Sequence, residues 1–243
     1  MLFYLLLIIC ETFLKLSFKL TKSDFIPFLW FIFESIPPYV FTLETLISLN
    51  TSYYSKGIYI ENRWKILKHY LKYGFSLDLV TLMPLYFSLE ISLTEYLDLL
   101  FTIRVIRISS IVKRIEEYLQ LRGKNEGVFQ LLKLMVNIMF LAHLSACIWH
   151  FLGYWEVKNG YDINWLASKG LVEENWQVRY IYSLYFSIVT MVTVGYGDIT
   201  SQNATECSVN IFLIIYGCAV FAYTINNVGM IFKEMYKEEK AFK

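Results

Sequence analysis

The chain has 243 residues, of which 56% are hydrophobic and 18% aromatic, and its 22 basic and 21 acidic residues leave a net charge of only +1. The apolar residues come in long runs rather than alternating patterns, which excludes an ordinary soluble domain and makes lipid the solvent for much of the chain. Balanced charge with no acidic or basic tail excludes a nucleic-acid partner, so the charges matter by position.

Crossing a hydrocarbon core of about 30 Å takes about 20 helical residues. Six runs meet or approach this, at residues 1–20, 25–49, 73–91, 93–115, 129–154 and 207–232. The first run has no basic leader and no small-residue cleavage site, and it carries Glu11 and Lys15, so it reads as a spanning helix rather than a signal peptide. Pro37 and Pro38 interrupt the second run and are expected to kink it. The stretch 51–72 holds Lys56, Arg63, Lys65, Lys68 and Lys72 against Glu61, and the tail holds Lys233, Lys237, Lys240 and Lys243. Both are expected to be cytoplasmic loops, because short cytoplasmic segments collect Lys and Arg. Residues 153–180, with Glu156, Asp162, Glu173 and Glu174 against Lys158, Lys169 and Arg179, fit the outside; Lys19 and Lys22 run against this orientation, which two boundaries support.

The fourth run, LLFTIRVIRISSIVKRI, sets Arg104, Arg107 and Lys113 at three-residue steps, with Ser110 filling the missing step and Arg114 adjacent. Charges inside a membrane are costly, and a spiral of them is most readily explained by a voltage sensor; the alternative is a basic helix lying at the cytoplasmic surface. Sensor arginines need acidic partners within the membrane, for which Glu44 in the second helix and Asp78 in the third are the candidates, with Glu34 weaker.

Between the fifth and sixth runs lies an apolar stretch at 176–192 that leads into TMVTVGYGDIT. An apolar segment too short to cross twice, followed by a glycine-rich turn, behaves as a re-entrant pore helix and loop. To replace the water around a potassium ion, a pore must present stacked oxygens, and backbone carbonyls supply them only when they all point one way. Gly195 and Gly197 permit such a backbone, and Thr193 adds a hydroxyl oxygen at its inner end. TVGYG is the signature sequence of potassium filters, so Thr193, Val194, Gly195, Tyr196, Gly197 and Asp198 form the candidate selectivity filter. The preceding helix aims its negative C-terminal end at the ion path.

Cys10, Cys147, Cys207 and Cys218 stand singly in apolar stretches and read as buried free thiols rather than a metal or redox site. His69, His143 and His150 form no catalytic or metal motif. No enzyme signature is present and no cofactor is implied; potassium enters only as the permeant ion. Asn203 begins an N-x-T sequon on the expected outer side, too near the loop for a glycan to be expected, and Asn50 begins an N-x-S sequon on the expected cytoplasmic side.

Assembled, these residues resemble the six-helix cation channels of the ether-à-go-go, plant outward-rectifying and cyclic-nucleotide-gated superfamily. The resemblance covers nearly the whole chain and is strongest in LAHLSACIWHFLG (141–153), NWL (164–166), YIYSLYFSIVTMVTVGYGDI (180–199) and VFAYTINNVGMIF (220–232). LETLISLNTSYYSKG (43–57) and YLKYGFSLDLVTLMP (70–84) look like its second and third helices. It implies a homo- or heterotetramer in the lipid bilayer, a multi-pass protein of the plasma membrane, and a sixth helix that bends at Gly217 as a gating hinge. A glycine that lets helices pack closely is the alternative at that position. Members continue into a cytoplasmic cyclic-nucleotide-binding domain, so a sequence ending at Lys243 reads as a piece of a longer protein, and cyclic nucleotide is a partner only if that domain exists.

The expected fold is an all-α integral membrane protein. It has a four-helix voltage-sensor bundle at 1–118, a short linker at 119–129, and a two-helix pore with re-entrant pore helix and filter loop at 130–243. The expected function is passive potassium conduction by a voltage-gated channel subunit. A non-selective, nucleotide-modulated cation channel is argued against by the intact GYGD and Thr193. A silent regulatory subunit is the rival from another class, and a voltage-sensing enzyme would need a catalytic domain where the pore stands.

Overall fold

The computed structural model describes residues 2–21, 24, 28, 31–32, 36–55, 58–87, 103, 111–112, 115–116 and 124–241. The basic positions Arg104, Arg107, Lys113 and Arg114 and most of the expected fourth helix lie outside the described residues. The chain divides into two compact units, one of Met1–Leu16 with Leu20–Arg114, the other of Ser17–Lys19 with Ile115–Lys243.

Helix α1 (Leu2–Phe18), which belongs to the first unit as far as Leu16, is a 17-residue apolar helix whose two charges neutralise each other. Lys15 Nζ lies 2.9 Å from Glu11 Oε1, one turn away, the pairing that makes a buried charge tolerable. Helix α2 is described over Ile36–Ser48 and carries Pro37 and Pro38 near the start of that span. Residues 33–35, immediately before it, lie outside the described residues, and so does the outcome of the expected kink.

The stretch 51–72, expected to be a loop, is largely ordered secondary structure. Strands β1 (Tyr53–Ser55) and β2 (Ile58–Ile60) pair antiparallel with Tyr53 opposite Ile60 and Tyr54 opposite Tyr59, a small departure from an all-α fold. Helix α3 (Arg63–Tyr73) follows, its first turn capped by Asn62, whose side chain accepts the Trp64 N–H at 3.1 Å. The chain then passes Gly74 into α4 (Phe75–Phe87), which packs on both α3 and α2.

The second unit is built on two long helices, α5 (Lys124–Lys158, 35 residues) and α8 (Ala204–Ala241, 38 residues). Among the described residues these are the helices long and apolar enough to cross a bilayer, over Asn125–Lys158 and Ala204–Lys233. Helix α5 starts at Lys124, within the stretch expected to be linker. Between them in sequence come a single-turn helix, α6 (Trp165–Ser168), and α7 (Trp176–Met191). Helices α5, α7 and α8 all pack on one another.

The core of this unit is aromatic. Trp149 of α5 stacks on Phe186 of α7 with centroids 4.3 Å apart and on Trp165 of α6 at 5.6 Å. Leu166, Leu171, Ile199 and Leu213 complete the buried cluster, and each fully buried apolar side chain contributes about 1.5–3 kcal/mol. The Trp165 indole N–H donates to the Trp149 carbonyl at 3.2 Å. Gly153 makes room for that ring: a Cβ there would overlap the indole nitrogen and stand 2.9 Å from Cδ1. Gly153→Ala is therefore expected to displace Trp165 at a cost of about 1–3 kcal/mol, seen as a lower melting temperature of the detergent-solubilised protein by tryptophan fluorescence. An unchanged melting temperature would contradict this packing.

Candidate functional site

The loop that joins α7 to α8 is held at both ends and open in the middle. At the α7 end, the Val189 carbonyl accepts the N–H groups of both Val194, at 3.0 Å, and Gly195, at 3.3 Å, and the Thr193 N–H reaches Thr190 O at 3.1 Å. Thr193, Gly195 and Gly197 have φ of +60°, +58° and +75°, whereas Val194 and Tyr196 between them do not have positive φ. In an ordinary extended strand successive carbonyls point to opposite sides. Left-handed residues at every second position reverse alternate peptides, so the carbonyls of such a strand face one way.

A Cβ on Gly195 or Gly197 would meet nothing within 4 Å. What demands glycine there is the dihedral and not the space. Thr193 is β-branched and still left-handed, a conformation costing about 1–2 kcal/mol that persists only where the surroundings enforce it. Val194 to Asp198 are exposed on the single chain, Tyr196 at 72%. Ile199, the next residue, is buried in the aromatic core.

At the α8 end a polar network takes over. Asn203 caps α8 by accepting the Glu206 N–H at 2.9 Å, and the Glu206 carboxylate reaches back to the Gln202 N–H at 2.6 Å. Its other oxygen accepts the Trp165 N–H at 2.7 Å. The Asn203 amide donates to Glu156 Oε2 at 3.0 Å and to the Ile163 carbonyl at 3.2 Å. Glu156 and Glu206 are both fully buried.

The expected filter residues Thr193 to Asp198 thus form one continuous segment, while Arg104, Arg107, Lys113 and Arg114 lie outside the described residues. Asp78 is 1% exposed on α4 and accepts the Tyr70 hydroxyl, and Glu44 is half-buried on α2. Gly217 lies buried in an unbroken α8, where a Cβ would stand 3.0 Å from Met191 Cα. Of the two readings of that glycine, close helix packing has a contact behind it.

None of the four cysteines is in a disulfide; Cys147 is buried, Cys10 is half-buried, and Cys207 and Cys218 are exposed on this chain. The expectation of buried thiols thus holds in full for Cys147 alone; the apolar residues around Cys207 and Cys218 on α8 are themselves exposed on the single chain. Cys147 Sγ lies 3.6 Å from His143 Nε2, yet no group of three or more ligand-type side chains gathers among the described residues.

Glu206, Asn203, Glu156 and Trp165 were not singled out from the sequence as site residues. One local signal was present: Asn203-Ala-Thr-Glu206 before an apolar run has the form of a capping box.

The family described as Ion transport protein matches residues 1–240. The chain is similar to the Caenorhabditis elegans potassium voltage-gated channel unc-103, at 26% identity over 84% of this chain and 27% of that protein. It is 28% identical to the Arabidopsis thaliana potassium channel AKT1 over 77% of this chain and 22% of that protein. To the human voltage-gated delayed rectifier potassium channel KCNH5 it is 25% identical over 91% of this chain and 24% of that protein. The chain spans about a quarter of the length of the curated relatives it matches.

Asn203 has no amide hydrogen to spare for a sugar, since both are engaged in the network beside Glu156. Produced in glycosylating cells on an Asn50→Gln background, the protein is expected to show no mobility shift on glycosidase treatment. A shift abolished by Asn203→Gln would show that the network opens during synthesis.

Proposed function

The chain belongs to the ion transport protein family, and from that membership we propose that it is the pore-forming subunit of a voltage-gated, potassium-selective channel. The observation that carries the reading is the alternation of left-handed residues at Thr193, Gly195 and Gly197 within TVGYG. Four such strands around an axis would offer rings of carbonyl oxygens in place of a potassium ion's water. A single strand cannot surround an ion, so conduction requires a fourfold assembly. Helix α7 acts as a re-entrant pore helix, its C-terminal turn and negative dipole end beside the first filter residues. The activity is passive conduction, without cofactor.

Six membrane crossings, a sensor bundle at 1–118 and a pore at 130–243 belong to the same proposal. Arg104, Arg107, Lys113 and Arg114 are its sensor charges, with Glu44 and Asp78 as counter-charges. The burial of Asp78 supports its part, since a carboxylate out of water favours a cation nearby. Gly217 is the least supported element, because its contact with Met191 accounts for the glycine without a hinge.

The strength of gating follows from charge. One charge crossing the whole field is worth about 2.3 kcal/mol per 100 mV, so about three in each of four subunits supply at most about 28 kcal/mol. With Ser110 in the missing step and Lys113 and Arg114 near the cytoplasmic surface, Arg104 and Arg107 carry most of it. Voltage dependence is therefore shallow.

Gly195→Ala or Gly197→Ala is expected to abolish potassium current while leaving the protein at the cell surface, because a Cβ resists the left-handed dihedral. Normal selectivity in either variant would refute the filter. Neutralising the sensor as Arg104→Gln with Arg107→Gln should flatten the conductance–voltage curve, and an unchanged slope would show that channel opening is driven by something other than this helix.

A further inference from the structure

We infer that Glu206 is a positioning residue for the filter, a buried carboxylate that ties the strand leaving the filter to the single-turn helix α6. The inference rests on the reading of Thr193 to Asp198 as the filter and goes beyond it, since Glu206 touches no part of the ion path.

One side chain joins two segments far apart in sequence. Oε2 accepts the N–H of Gln202, four residues past Asp198, and Oε1 accepts the N–H of Trp165, whose ring stacks on Trp149. A fully buried carboxylate is expensive, and a second buried carboxyl, Glu156, sits in the same network. The charge is tolerated because two backbone N–H groups and the N-terminal end of α8 face it. An ordinary cap satisfies helix N–H groups from within its own turn; this one spans 41 residues to reach α6.

The filter needs such a tie. Its residues from Val194 to Asp198 pack against little in the single chain, and Thr193 holds a dihedral that it would leave if released. Parallel carbonyl dipoles repel one another when no cation lies between them, so an emptied filter tends to distort. The far end is held by the Tyr185 hydroxyl of α7 on Asp198, by Ile199 in the core and by Gln202 on Glu206. Weakening the Glu206 anchor should let the conducting strand fail sooner, and ions in the filter should oppose that failure.

The test is the decline of potassium current during sustained depolarisation in the full protein expressed in cells. Glu206→Gln presents an amide N–H₂ to one of the two N–H donors and so loses one charge-assisted bond. The expected result is a decline about tenfold faster than wild type, slowed again by raising external potassium, with potassium still preferred over sodium at the start of the pulse. Where that variant does not reach the surface, Glu206→Asp, with the same charge and a shorter reach, is recorded against the same criteria. A decline unchanged from wild type, or faster but indifferent to external potassium, overturns the positioning role. The glycine variants separate the two claims: if they lose selective current while Glu206→Gln declines normally, the filter stands and the tie falls.

Discussion

Oxygen atoms that replace an ion's water have to be held in register by something other than the side chains beside them. In this chain the segment from Thr193 to Asp198 is the part proposed to bind ions, and it has little support of its own. Its backbone alternates in handedness and its side chains are exposed on the single chain. Everything around it serves as a frame. Helix α7 fixes one end through the doubly used carbonyl of Val189, and the core and α8 fix the other through Ile199 and Glu206. The aromatic stack of Trp149, Trp165 and Phe186 joins α5, α6 and α7, and Leu213 brings α8 into the same core. Gly153 and Gly217 are small because rings and backbone approach them closely.

The exposed surface of the same unit follows from its solvent. Ile211, Phe212 and Ile215 on α8 are more than half exposed, and only 11% of that helix's apolar window is buried within the chain. Water would make such a surface untenable. Lipid tails and neighbouring copies in the proposed fourfold assembly remove the difficulty, and they also explain how Cys207 and Cys218 can be exposed on an apolar helix. Charges inside the chain are handled by pairing: Glu11 with Lys15 within α1, Asp78 with the Tyr70 hydroxyl between α3 and α4.

Much of this was legible in the sequence, and the parts that were not share a cause. Helices α5, α7 and α8 show as long apolar runs, and TVGYG between them is a local word whose glycines state their own dihedrals. The basic stretch 51–72 hid a hairpin and α3, since strands of three residues are too short to show a period. Glu206 was half legible. Its spacing from Asn203 announces a cap, but Trp165, 41 residues earlier, becomes its partner only when α6 folds against α8. Local words can be read from the chain, and contacts across it cannot.

The central claim is that the strand from Thr193 to Asp198 selects potassium by its backbone. It is met most directly by placing the purified protein in a planar bilayer with potassium on one side and sodium on the other, and measuring the voltage at which current reverses. A reversal potential that follows the potassium gradient, with sodium carrying almost no current, is the predicted result. A reversal near zero, with both cations carried alike, would contradict it.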